Sequence, residues 1–238
     1  MRHIYGPIKS RRLGNSLGVD LVPYKFCCFD CIYCQLKKTA VLTLKRKEYV
    51  KSQEIVSELE YFLKQKPPEQ KIDFITISGS GEPLLNSKIN QIIDSIKEIT
   101  PIPVALITNS ALFIEPKVRN EVLNCDLILP SLDAVTQDVF EKIDRPHKDL
   151  KINDIIKGLI ALRKDFKNKI WLEIMLVKGI NDDSHYIEKF KNVLSKIKPD
   201  KIHLNTVSRP PSEIWVRSPS LQRLKKIKLI LGKNCELI

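Results

Sequence analysis

Residues 73–108 read DFITISGSGEPLLNSKINQIIDSIKEITPIPVALIT. Two β-rich apolar runs, Asp73–Ser78 and Pro103–Thr108, flank a segment in which Ile89, Ile92, Ile93 and Ile96 recur at helical spacing. This order predicts a strand, a crossover helix and a second strand parallel to the first. The glycine-rich stretch Ser78-Gly79-Ser80-Gly81-Glu82-Pro83 falls at the carboxyl end of the first strand, where parallel sheets build their sites.

The alternation continues outward. Gly18–Pro23 reads as an earlier strand, and Ser52–Lys64 as a helix with Ile55, Val56, Leu59 and Phe62 on one face. Downstream, Pro116 suits the first turn of a helix, and Asp126–Leu132 reads as a strand, although Pro130 removes a ladder donor. Helices are predicted over Thr136–Ile143, Ile152–Phe166 and Ser184–Ile197, with strands over Ile170–Val177 and Lys201–Thr206. A last helix opens on Ser218-Pro219 and closes at Gly232. Roughly six strand–helix units in series predict an α/β fold, a partial (β/α)6 barrel of parallel strands with outer helices. A flat, doubly wound sheet is the alternative architecture. No internal repeat or linker interrupts the chain, so residues 1–238 are expected to form a single domain.

The chain carries 40 Lys and Arg against 28 Asp and Glu, a formal net charge of +12. Such a surplus suits nucleic acid or another polyanion. Lysines dispersed over the surface give the same total, and the longest basic run is only Lys45-Arg46-Lys47. Met1–Ser10 has no apolar core of a secretory signal, and no apolar stretch approaches the ~18 residues of a membrane-spanning helix. A cytoplasmic location without membrane contact is therefore expected.

Of six cysteines, four crowd into residues 27–34. In a chain of this size such crowding points to metal rather than to disulfides. Cys27, Cys31 and Cys34 give the spacing C-x3-C-x2-C, and thiolates suit iron–sulfur clusters and zinc. A structural zinc site needs four protein donors. Here the fourth would have to be Cys125, Cys235 or one of the distant histidines His3, His147, His185 and His203. Three thiolates instead match a 4Fe–4S cubane with one iron left open. Cys28, adjacent to Cys27, reads as a packed thiol.

Other polar residues fall at predicted strand ends. The Glu82 carboxylate suits an ammonium group, with Pro83 stiffening the turn and Gly81 allowing close backbone approach. Asn109, Ser131 and Asp133 suit hydroxyl or carboxylate groups of a ligand, and equally suit helix caps. Arg11, Arg12, Arg145, His147 and Arg209 could line a site for an anion or form ion pairs.

The C-x3-C-x2-C loop, with Tyr33 before its last cysteine, resembles the signature of the radical S-adenosylmethionine (radical SAM) superfamily. Ser78-Gly79-Ser80-Gly81-Glu82-Pro83 resembles that superfamily's Gly-Glu-Pro motif. The resemblance implies that Cys27, Cys31 and Cys34 hold a 4Fe–4S cluster whose open iron chelates S-adenosylmethionine. It further implies that Gly81, Glu82 and Pro83 lie at the methionine amino group and Tyr33 near the adenine. Asn109, Ser131 and Asp133 would lie on the cofactor side, and Val177–Asp182 at the place where the family often contacts adenine. Reductive cleavage would give a 5′-deoxyadenosyl radical that abstracts hydrogen from a substrate. A reducing partner such as flavodoxin or ferredoxin is implied as well.

Across nearly the whole chain, Gly6-Pro7, Ser10–Gly14, Ser16–Gly18, Cys34-Gln35, Arg145-Pro146-His147, Leu204-Asn205-Thr206 and Arg209-Pro210-Pro211 are similar to radical SAM proteins grouped near the wyosine-forming tRNA enzymes. Those enzymes carry a second cluster on cysteines upstream of the loop. No cysteine precedes Cys27 here, so neither a second cluster nor wyosine synthesis is expected. The implied substrate is tRNA or a small anionic molecule. Two alternatives remain: a glycyl-radical activating enzyme acting on a partner protein, and a non-enzymatic, metal-dependent nucleic-acid-binding protein.

Overall fold

A computed structural model describes residues 1–238. Ten strands form: β1 (Ile4–Ser10), β2 (Gly14–Val19), β3 (Phe26–Cys27), β4 (Val41–Leu42), β5 (Phe74–Ile77), β6 (Val104–Thr108), β7 (Leu127–Pro130), β8 (Lys169–Leu176), β9 (Lys201–Thr206) and β10 (Cys235–Leu237). Seven α-helices connect them: α1 (Ser52–Gln65), α2 (Ile89–Ile99), α3 (Pro116–Asn120), α4 (Gln137–Ile143), α5 (Ile152–Asp165), α6 (Ser184–Ile197) and α7 (Leu221–Leu231). The main sheet runs β1-β2-β5-β6-β7-β8-β9-β10. Only the β1–β2 pair is antiparallel; every other neighbour is parallel.

The helices form where the apolar period is strongest. Ile89, Ile92, Ile93 and Ile96 of α2 are all fully buried against the sheet. Each such side chain contributes roughly 1.5–3 kcal/mol on burial. Along the strands, alternate residues serve two interiors. Ile75, Ile77, Leu106, Ile128 and Leu172 join the large core beneath the helices. Leu13, Ala105, Leu127 and Leu129 pack with Phe74, Ile107 and Trp171 on the opposite, inner face, where they form the floor of a lumen.

The sheet curls around that lumen. β2 and β9 are five strands apart in sheet order, which in a flat sheet would separate them by about 24 Å. Yet Arg11, in the turn entering β2, donates to Asn205 on β9 at 3.4 Å, and Arg12 pairs with Glu173 on β8. The partial barrel is therefore the architecture, and the flat sheet is set aside.

Several boundaries differ from the sequence-based expectations. The first parallel strand is Gly14–Val19 rather than Gly18–Pro23. β1 was not expected; Gly6-Pro7 breaks its pattern, and its register with β2 shifts between Tyr5 and Ile8. An edge strand tolerates that interruption. The final helix begins at Leu221, not at Pro219, because the Ser220 hydroxyl accepts from the Arg223 amide and caps it. No helix is long and apolar enough to cross a membrane.

Candidate active site

The cysteine loop follows β2 and is fastened on both sides. Asp30 N–H donates to the Asp144 and Arg145 carbonyls, Ile32 N–H to the Ile143 carbonyl, and His147 N–H to the Cys28 carbonyl. Cys28, Phe29 and Ile32 point into the core. Cys27, Cys31 and Cys34 remain partly accessible. The alternation of buried and open side chains thus separates the three candidate ligands from Cys28, which is fully buried.

Each candidate sulfur has a polar neighbour. The Asn109 side-chain amide donates to Cys27 Sγ at 3.4 Å, and Lys25 Nζ donates to Cys34 Sγ at 3.3 Å. The Cys31 thiol donates to the Asp144 carboxylate at 3.4 Å. Burial pushes the Cys27 thiol up to about 12, with Glu82 and Cys34 adding to the effect. Burial raises Cys31 too, helped by Asp144, Cys27, Asp133 and Cys34. Thiols raised in this way ionise readily only when a strongly positive centre binds them. No three His, Cys, Asp or Glu side chains converge on one point as donors to a single ion. A cubane does not require that convergence, because each thiolate takes its own iron corner. The three-thiol loop therefore fits a 4Fe–4S cluster.

The Gly-Glu-Pro turn is welded to this loop. Glu82 N–H donates to the Phe26 carbonyl at 2.9 Å. A Cβ on Gly81 would come within 2.0 Å of that same oxygen, so only glycine permits the approach. The Glu82 side chain is 2% exposed. It accepts from Thr108 Oγ1 at 2.6 Å, Asn109 N–H at 2.8 Å and Leu84 N–H at 3.1 Å. Three of the roughly four acceptor positions of a carboxylate are thus filled by the protein, leaving one for a ligand ammonium. Burial lifts the Glu82 pKa to about 7 despite these bonds. Pro83 opens a single 3-10 turn, Pro83–Leu85.

Tyr33 and Asp133 meet: the phenol donates to one carboxylate oxygen, while Met175 N–H donates to the other at 2.7 Å. Burial raises Asp133 to about 7. The Ser131 carbonyl accepts from Ser110 Oγ at 2.7 Å. Asn181, fully buried, receives Val177 N–H and donates to the Asp133 and Met175 carbonyls. It is a brace for the ends of β7 and β8. Asp182 closes the turn at Gly179, and Asp183 caps α6.

The basic residues divide. Arg11, Arg12 and Arg209 line a lumen cavity of about 420 Å³ that also touches Tyr33 and Cys34. Arg145 pairs with Glu213 at 2.5 Å, and His147 lies 3.5 Å from Asp149; neither lines that cavity. Sequence reasoning missed Lys25, Asp144 and Glu173. Only Glu173 had a local signal, as a lone acid within the apolar run IWLEIML.

The model of the radical SAM superfamily matches residues 21–190. This chain belongs to the radical SAM superfamily. It is 37% identical over 97% of its length to a UPF0026 protein of Methanocaldococcus jannaschii, of which it covers 72%. It is 38% identical over 99% of its length to a Brachyspira hyodysenteriae protein named GTPase Obg, and spans only 34% of that longer chain. A radical SAM methyltransferase from Sphaerobacter thermophilus shares the fold, with a TM-score of 0.71 at 16% identity over 94% of this chain and 65% of that one. The chain is thus a radical SAM enzyme, and enzymes of this superfamily use a 4Fe–4S cluster, S-adenosylmethionine and a reductant.

Proposed function

We propose that residues 1–238 act as one catalytic unit, generating a 5′-deoxyadenosyl radical and directing it at a substrate in the barrel lumen. The observation that carries this reading is the seam joining the two motifs: Phe26 O to Glu82 N–H, and Asn109 to both Cys27 and Glu82.

In this reading Cys27, Cys31 and Cys34 would hold the cluster, whose chemistry when bound would be one-electron reduction of the S-adenosylmethionine sulfonium. Glu82 offers its remaining acceptor position to the methionine ammonium. Asn109, braced through Ala111 N–H at 3.0 Å, fixes one thiolate. Ser131, Asp133 and Tyr33 border the nucleoside side. The apolar floor around Leu13 and Leu129 would keep water from that end of the lumen, which protects a radical from quenching. The electron comes from a reduced flavodoxin or ferredoxin.

Anaerobic reconstitution, dithionite reduction and assay of 5′-deoxyadenosine test the reading, with and without candidate tRNA. Cys31→Ala should bind little iron and release no 5′-deoxyadenosine. Cys28→Ala should keep both, at the cost of a small core cavity. Equal cleavage by Cys31→Ala and the parent would overturn the ligand assignment.

A further inference from the structure

The lumen cavity is lined by two unlike sets of side chains. Tyr5, Ile8, Leu13, Ile107, Met175 and Val207 are apolar; Tyr5 is 36% and Ile8 49% exposed. Lys9, Arg11, Arg12 and Arg209 are cationic, and no Asp or Glu is among the lining residues.

Only Arg12 has a carboxylate partner, Glu173. Arg11 makes one long bond to Asn205, at 3.4 Å, and Arg209 bonds to the Gln35 amide oxygen. Neither of these, nor Lys9, forms a salt bridge with any acid of the chain. Both guanidinium groups therefore keep most of their five donors free. The Arg209 segment is held in place by Lys37 Nζ, which donates to the Pro211 carbonyl at 2.9 Å. Lys9, Arg11 and Arg209 are exposed at the mouth of this concavity; uncompensated cations lining a cleft concentrate counter-anions, and guanidinium forks match carboxylate and phosphate oxygens. A volume of about 420 Å³ falls within the range of small-molecule pockets, about 300–1,000 Å³.

We infer that the lumen takes a small amphiphilic anion, with its carboxylate or phosphate held by Arg11, Arg209 and Lys9 and its apolar body laid against Tyr5, Ile8 and Met175. This deepens the proposed function, on which it rests for the position of the reactive carbon.

The test is anaerobic calorimetric titration of the reconstituted protein, saturated with S-adenosylmethionine. The probes are phenyl phosphate, phenylacetate, benzyl alcohol, inorganic phosphate and a short single-stranded oligoribonucleotide. At least one aromatic anion should bind in a single site about tenfold or more tighter than either benzyl alcohol or inorganic phosphate; which anion wins separates phosphate from carboxylate. Arg11→Gln should weaken that binding about tenfold and Arg11→Lys less. Ile8→Ser should weaken the aromatic anions while leaving inorganic phosphate unchanged. The inference is overturned if neither aromatic anion binds saturably, if benzyl alcohol binds as well, or if Arg11→Gln and Arg209→Gln bind as the parent does. It is also overturned if the oligoribonucleotide occupies the lumen in preference to both anions. Formation of 5′-deoxyadenosine by the parent under dithionite is scored separately. Cleavage without anion selectivity overturns only this inference, and selectivity without cleavage only the radical assignment.

Discussion

The ammonium of Lys25 lies 3.3 Å from the sulfur of Cys34, and Lys25 is 3% exposed. A buried cation at a ligand sulfur favours the more negative, reduced state of a cluster. Lys25→Met keeps the aliphatic stem and removes the charge. Hydrogen bonds to charged groups are worth about 1.5–3 kcal/mol, and each 1.4 kcal/mol corresponds to about 59 mV for one electron. The midpoint potential of the reconstituted variant should fall by at least that interval in a redox titration followed by electron paramagnetic resonance. An unchanged potential would show that the ammonium does not act on the cluster.

Glu82 makes the stability of the metal-free protein fall as pH rises. Its folded pKa, about 7, lies above the ordinary glutamate value of 4.5, so between those limits the folded chain binds more protons than the unfolded one. Its contribution is complete below about 4.5 and is lost by about pH 7, with a span of roughly 3 kcal/mol. Asp133, raised to about 7, has the same sign. Thermal melts of apoprotein from pH 5 to 8 should show Tm decreasing, and Glu82→Gln should flatten the slope while lowering Tm at pH 5. A Tm that climbs through this window would contradict the assignment.

Gly81→Ala should open the seam between the two motifs. The new methyl would sit 2.0 Å from the Phe26 carbonyl oxygen, which is backbone and cannot swing aside. Iron and sulfide content per chain should drop sharply. At Gly179 a Cβ meets nothing within 4 Å, although φ is +77°. Gly179→Ala should therefore cost only the backbone strain of a left-handed residue, about 1–2 kcal/mol, and leave cluster content unchanged.

Arg12 and Glu173 should behave as a unit. The Glu173 side chain is 8% exposed, and removing one partner of a buried pair costs about 3–5 kcal/mol. Arg12→Met alone should lower stability in urea by an amount near the bottom of that range, because the Arg12 side chain is 22% exposed. Arg12→Met with Glu173→Leu should recover most of the loss. Additive losses in this cycle would mean that the two side chains act independently.

Local patterning was readable from the residues alone. The α2 isoleucines and the three spaced cysteines sit within one element or one loop, so spacing encodes their shared face. The position of Glu82 at a strand end followed from the same logic, but not its engagement by Thr108 and Asn109, which come from β6 and the residue after it. Lys25 was invisible among 40 basic residues, since only the fold brings it to Cys34. Asp144 meets Cys31 across 113 positions of chain, a proximity no periodicity contains. β1 escaped because Gly6-Pro7 interrupts its alternation, and β10 because three residues, Cys235–Leu237, are too few to form a pattern.

The hairpin of β1 and β2 supplies Tyr5, Ile8, Lys9 and Arg11 to the lumen but none of the candidate iron ligands. In the proposed reading the hairpin shares the choice of substrate with Met175 and Arg209, while the candidate iron ligands lie on the cysteine loop. Exchanging the dozen residues ahead of the first parallel strand would change part of the proposed substrate site while leaving the cysteine loop intact, which makes this ribbon a natural place to diversify the scaffold.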